Sequence, residues 1–265
     1  EYIVCAGNSE DTTLELIQNI NSPKIKIVHS VWDDSLREGG KVLAVETDKA
    51  KAAAASDSDW LFYLQGDECI HEKDYETIRN AMHTYKNDKR VEGLLFRYVH
   101  FYGSYQYTGD SRRWYNHEIR IIKNDPAIKS WKDAQGFRKN EKKLNVKTID
   151  AFIYHYGWVK DPRLQKAKQK DFGQFWINDD KKIEEIRNYF DSKGEAYQYE
   201  EMIDSLTLFK GSHPAVMKNR IEKADWSIHI DVTKKHFRDW KSRFLYYFEK
   251  ATGIRLFGYK NYKII

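Results

Sequence analysis

The chain has 265 residues, 41% hydrophobic and 32% charged, with 45 basic against 40 acidic side chains and a formal charge of +5. No window approaches the roughly 18 consecutive apolar residues of a membrane span, and the opening residues do not read as an apolar signal region. Two cysteines, Cys5 and Cys69, cannot build a disulfide framework and lack metal-site spacing, which points to a reducing cytoplasm.

The first half alternates strand and helix signals. Residues 2–6 form a short apolar run that stops at Gly7-Asn8-Ser9, after which Ser9 or Asp11 can cap a helix carrying Leu14, Ile17 and Ile20. Residues 24–29 read as a strand and 42–55, rich in alanine and lysine, as a helix. The run Trp60-Leu61-Phe62-Tyr63-Leu64 suits a strand covered on both faces. Asp74 can cap a helix with Ile78, Met82 and Tyr85 at helical spacing, and residues 91–101, 118–122 and 148–155 are further strands. This order predicts an α/β fold with a mainly parallel sheet flanked by helices.

Beyond about residue 165 the pattern turns helical: 181–190, a helix opened by Pro214, and a longer one over 233–252 stopped by Gly253. Two domains are expected, an α/β core over 1–165 and a helical extension over 166–265. Residues 233–255 hold seven basic against two acidic side chains, a net +5, so the rest of the chain is near neutral. Charge gathered in one segment argues against a nucleic-acid binder. The last helix carries Phe237, Trp240, Phe244 and Phe248 at helical spacing, a stripe expected to pack on the core with its lysines on the solvated back. Seven aromatics from Tyr98 to Tyr115 are read as a hairpin turned mostly into the core, with Trp114 the expected exception that could stack on a sugar.

In open α/β sheets, ligands bind beyond the carboxyl ends of the strands. Two such ends are polar here: residues 7–11, and Gln65-Gly66-Asp67-Glu68 after the buried run. Two adjacent carboxylates leaving a buried strand suit Mg²⁺ or Mn²⁺ held together with phosphate oxygens, or else a solvated loop. The chain lacks a phosphate-binding Gly-x-x-x-x-Gly-Lys loop, a Gly-x-Gly-x-x-Gly turn, a His-Glu-x-x-His zinc helix and a Gly-x-Ser-x-Gly elbow.

At these residues the chain resembles family 2 glycosyltransferases. Tyr2-Ile-Val-Cys-Ala-Gly-Asn-Ser-Glu-Asp-Thr-Thr13 is similar to their first nucleotide-binding strand and turn, and Asp59-Trp-Leu-Phe-Tyr-Leu-Gln-Gly-Asp-Glu68 to their acidic metal-binding signature. Gly39-Gly40-Lys41 lies where the family opens a helix, Glu118-Ile-Arg-Ile-Ile-Lys-Asn124 resembles a later strand, and Tyr154-His-Tyr-Gly157 the late histidine strand of bacterial members. The resemblance spans roughly residues 1–160. It implies a GT-A fold and an inverting transfer of a sugar from a nucleotide diphosphate donor to a glycan or lipid-linked acceptor, with Mn²⁺ or Mg²⁺ as cofactor.

Residue by residue, the resemblance assigns the metal to Asp67 and His155, donor contacts to Gly7, Asn8, Asp11, Lys41 and Gln65, and the general base to Asp133, with Glu68 and Glu118 as competitors. Gln65 stands where the family has an aspartate and Asp48 where it has asparagine, so a non-catalytic nucleotide- or glycan-binding module is the alternative. The family also places a strand and helix before the strand matched by residues 2–6, so either a longer natural N-terminus or a strand supplied some other way is expected, with no direct pairing between residues 2–6 and 60–64. A cytoplasmic protein acting in surface polysaccharide synthesis, with its basic last helix in peripheral contact with the inner membrane face, completes the expectation.

Overall fold

The computed structural model describes residues 1–265 except 8, 10, 34, 37, 173–175, 178 and 202. β1 (Tyr2–Ala6), α1 (Thr13–Asn19), β2 (Ile25–His29) and α2 (Lys41–Ala52) come first. β3 (Trp60–Phe62), β4 (Glu68–Ile70) and α3 (Tyr75–Tyr85) follow. Then come strands only: β5 (Gly93–Tyr102), β6 (Ser104–Gly109), β7 (His117–Lys123), β8 (Ile128–Trp131), β9 (Gly136–Lys139) and the 17-residue β10 (Lys142–Trp158). The remainder holds α4 (Pro162–Phe172), α5 (Asp180–Ser192), β11 (Leu206–Leu208), α6 (Lys218–Glu222), α7 (Trp240–Thr252) and β12 (Tyr262–Ile264).

The architecture is mixed α/β, and the mainly parallel sheet expected from the sequence is corrected. Among the described residues, only β1–β2, β5–β10 and β10–β12 pair in parallel. β3–β7, β5–β7, β4–β10, β5–β6 and β6–β11 are antiparallel. Parallel neighbours need a crossover connection, and among the described residues no helix lies between Tyr85 and Pro162. The chain therefore reverses by hairpins, and β7 enters between β3 and β5 running against both. β1 pairs with β2 in a two-stranded sheet of its own and not with β3, while the other ten strands form one sheet.

β5 and β10 lie at the centre of that sheet. Leu94, Phe96, Ile121, Ile153 and Ile78 of α3 fill one face. Leu95, Ile119, Phe137, Leu144 and Val146 fill the other. Leu61 joins the second cluster and Trp60 and Phe62 the first, so the short β3 is covered on both faces as its apolar run predicts.

Other expectations shift. Asp74 stands at the N-cap position of α3, but its carboxylate, instead of capping the helix, accepts the Phe152 N–H (3.0 Å) and ties the helix start to β10. The last helix begins at Trp240, because Asp239 adopts an extended backbone and accepts the Ser242 N–H (2.7 Å) as an N-cap. Its aromatic stripe is not buried: Tyr246 takes the inner face, while Trp240 and Phe244 stay exposed. The C-terminal part is not purely helical, since β11 and β12 extend the main sheet. Trp114 is half-buried against the His100 ring (5.0 Å between centroids), and Tyr115 is the more exposed aromatic of that hairpin.

Candidate functional site

The turn after β3 and the end of β10 meet because β4 pairs antiparallel to β10, with Glu68 opposite His155. The Tyr156 N–H donates to the Asp67 carbonyl (2.8 Å), which fixes the residue before β4 against the strand. Asp67 Oδ2 lies 3.6 Å from His155 Nε2. A Cβ on Gly157 would stand 2.4 Å from Asp67 Oδ2 and 2.7 Å from His155 Nε2, so only glycine leaves this space open.

A relay sets the proton on His155. His100, buried on β5, donates from Nε2 to the Tyr115 carbonyl (2.8 Å), which can only accept. Burial and the neighbouring His155 push the His100 pKa down to about 3, so the ring is neutral and its Nδ1 is an acceptor. His155 Nδ1, 3.2 Å away, is then the donor, which leaves His155 Nε2 turned to Asp67. Burial alone would raise the Asp67 pKa, but His155 and the charge of Lys168 outweigh it and hold the carboxylate down at about 2. An imidazole nitrogen and an ionised carboxylate facing across an open gap satisfy each other in two ways: as an ion pair, or with a cation between them.

Glu68 takes no part in that gap, which corrects the reading of the acid pair as a joint cation site. Arg120 grips it in a buried, bidentate ion pair (Nε 2.9 Å, Nη2 2.8 Å), and the Tyr98 hydroxyl (2.8 Å) and the Gln65 N–H (3.1 Å) also donate to it. Burial opposes its ionisation, but Arg120 keeps its pKa below the usual value. A carboxylate so fully engaged is not a free base. Glu118, two residues before Arg120 on β7, is the opposite case: burial raises its pKa to about 8, and among the described residues one of its oxygens has no hydrogen-bond partner.

Gln65 donates weakly to the Tyr63 hydroxyl (3.3 Å), which also receives Thr47 of α2 (3.3 Å), so this turn is tied to α2. At the start of α2, Gly39 and Gly40 both adopt left-handed backbone (φ 59° and 71°). The Asp133 Cβ lies where a Cβ on Gly40 would stand, 2.5 Å away, which places Asp133 beside Lys41. Lys132 and Ala134 on either side of Asp133 have φ of 55° and 59°, a strained conformation for non-glycine residues. Arg120 reaches the adjacent Gln135 carbonyl at 3.5 Å, so one guanidinium links the acidic turn to the Asp133 loop.

Gly7 lies against the Trp32 indole, and the Asp11 carboxylate accepts the Thr13 N–H (3.0 Å) at the head of α1. The Asn8 assignment lies outside the described residues. Asp11 feels the charge of Lys160 just beyond β10, and Lys160 in turn lies within electrostatic reach of Lys168. The sequence reading missed Lys168 of α4. Its ammonium donates to the Gly157 carbonyl (3.0 Å), and burial lowers its pKa while Asp67 raises it. Its only signal was position on a polar helix after the histidine strand, which is too weak to single it out. Nor does any sequence spacing join His100 to His155, which is 55 residues away.

Beside residues 111–114 opens a cleft of about 810 Å³ lined by Ser111, Arg113, His236, Phe237, Arg238 and Tyr246. Among the described residues, no three His, Cys, Asp or Glu side chains converge as a metal cage. The donors that do converge are one carboxylate oxygen and one imidazole nitrogen around a gap that a single Cβ would fill. That set fits a divalent cation which takes its other ligands from phosphate and water. No family model matches the chain, and no curated protein matches it.

Proposed function

We propose that the chain is an inverting glycosyltransferase of the GT-A kind, moving a sugar from a nucleotide diphosphate donor to a glycan or lipid-linked acceptor. The observation that carries the reading is the Asp67–Gly157–His155 gap at the carboxyl end of β3. Asp67 and His155 would hold Mn²⁺ or Mg²⁺, which stabilises the charge growing on the departing diphosphate. Lys168, a fixed cation beside Asp67, faces the same phosphates. Gly7, Asp11, Lys41 and Gln65 surround the donor from β1, α2 and the acidic turn. Asp133 takes the proton of the acceptor hydroxyl as that oxygen attacks the anomeric carbon. The aromatic-lined cleft at Phe237 and Tyr246 suits the acceptor, since sugars offer apolar C–H faces to such rings.

A screen of nucleotide sugars with Mn²⁺, reading nucleotide diphosphate release, tests the activity. No release from any donor, together with nucleotide binding, would favour a non-catalytic binding module. Asp133→Asn is expected to lower transfer about 10²–10⁴-fold, the usual worth of a positioned base, with donor affinity unchanged. Equal transfer rates would remove Asp133 from the role.

A further inference from the structure

α7 has two unlike faces. On the inner one Tyr246 is buried and donates to Asp110 (2.7 Å), and Glu249 receives Arg112 (2.6 Å). On the outer one Trp240 is 80% exposed, with Phe244 and Tyr247 following at i+4 and i+7 and also exposed. Past the helix, Phe257 is 86% exposed. Its φ of 55° places a bulky side chain in the left-handed region, a strained conformation that folded chains keep where the surroundings or a function demand it. The Lys241 ammonium stands 6.0 Å from the Phe257 ring, so this residue returns beside the first turn of α7. Aromatic rings from two segments thus share one exposed patch.

Lys241 and Arg243 flank that patch, and among the described residues neither makes an ion pair. The basic residues further along are engaged: Lys250 with Asp110 (3.2 Å) and Arg255 with Glu249 (3.6 Å). A 13-residue helix is about 20 Å long, too short to span a bilayer, and among the described residues no helix is long and apolar enough to cross a membrane. Exposed Trp and Phe beside Lys and Arg, on a helix lying along the surface, are the features of interfacial lipid binding. A second copy is a poorer occupant, because a symmetric contact would bring Lys241 and Arg243 toward their own counterparts.

We infer that the Trp240–Phe244–Phe257 patch, with Lys241 and Arg243, docks the protein on an anionic lipid bilayer. The inference does not rest on glycosyl transfer. Should that reading hold, docking would also bring the cleft lined by Ser242 and Tyr246 close to a lipid-linked acceptor.

Co-sedimentation of the full chain with phosphatidylcholine vesicles, with and without 30% phosphatidylglycerol, tests it at low and physiological salt. The protein is expected to pellet with the anionic vesicles at least tenfold more than with the neutral ones, and less as salt rises. The triple variant Trp240→Ser/Phe244→Ser/Phe257→Ser and the pair Lys241→Glu/Arg243→Glu should each lose most of that binding. All five positions are exposed, so both variants should melt near the parent temperature. No pelleting with anionic vesicles at low salt, or pelleting that both variants retain, would overturn the inference. Sedimentation equilibrium showing a dimer that the triple variant abolishes would overturn it in favour of a second copy.

Discussion

Gly157 carries the sharpest consequence at the scale of single residues. Alanine there would drive its methyl group into Asp67 and His155. Gly157→Ala is therefore expected to weaken Mn²⁺-dependent nucleotide binding by at least about tenfold, as losing a ligand-orienting group commonly does. The melting temperature should move little, because alanine is the better residue inside a strand; unchanged metal dependence in isothermal titration would contradict this. Glu118 makes a pH prediction. Its carboxyl keeps its proton to about pH 8 in the folded chain, against an ordinary value of 4.5. The folded state thus binds more protons between those values. The stability this confers is complete below pH 4.5 and is lost as pH rises through 8, by at most about 1.4 kcal/mol per unit. Melting curves from pH 5 to 8.5 should slope downward in the parent and flatten in Glu118→Gln, and equal slopes would refute the assignment. Asp67 and His155 could be singled out in the sequence because one follows the apolar run 60–64 and the other ends the strand read over 148–155, although β10 in fact continues to Trp158. Lys168 and the His100 relay could not, since their roles arise from contacts between distant segments.

Between elements, the Glu68–Arg120 pair joins β4 to β7 and, through the Gln135 carbonyl, to the Asp133 loop. Both side chains are buried, so removing one partner strands a charge. Arg120→Ala should cost about 3–5 kcal/mol in urea unfolding, and the double change Glu68→Gln/Arg120→Met should recover much of it. A loss under about 1 kcal/mol, the range of a surface pair, would show that the pair is not buried in solution. The strands over 2–6, 24–29 and 60–64 and the helices up to Tyr85 were readable from period and punctuation; β4, which begins at the acidic turn, was not, and the Gly39-Gly40 opening of α2 was suggested by the resemblance alone. The direction of the later strands was not readable, because apolar runs such as 91–101 look alike in parallel and antiparallel sheets. Nor could spacing tell that Asp239 would shorten the last helix, or that Tyr246 rather than Phe244 would turn inward.

At the scale of the whole molecule, the strand ends carrying Gly7, Gln65 and Asp67 belong to two sheets, joined through α2, which packs against both β1 and β8. The extension closes the opposite edges through β11 and β12 and sends Lys168 back to the acidic turn. The resemblance directed attention to these strand ends, but it did not show the mixed sheet around them. The central claim is that Asp67 and His155 hold a cation that bridges a nucleotide diphosphate. Its most direct test is the thermal shift of the intact chain and of Asp67→Asn with UDP and with GDP, each with and without Mn²⁺. The account predicts a nucleotide-induced rise in melting temperature that requires Mn²⁺ in the parent and disappears in a folded Asp67→Asn. A shift that survives in Asp67→Asn, or one indifferent to Mn²⁺ in the parent, would contradict it.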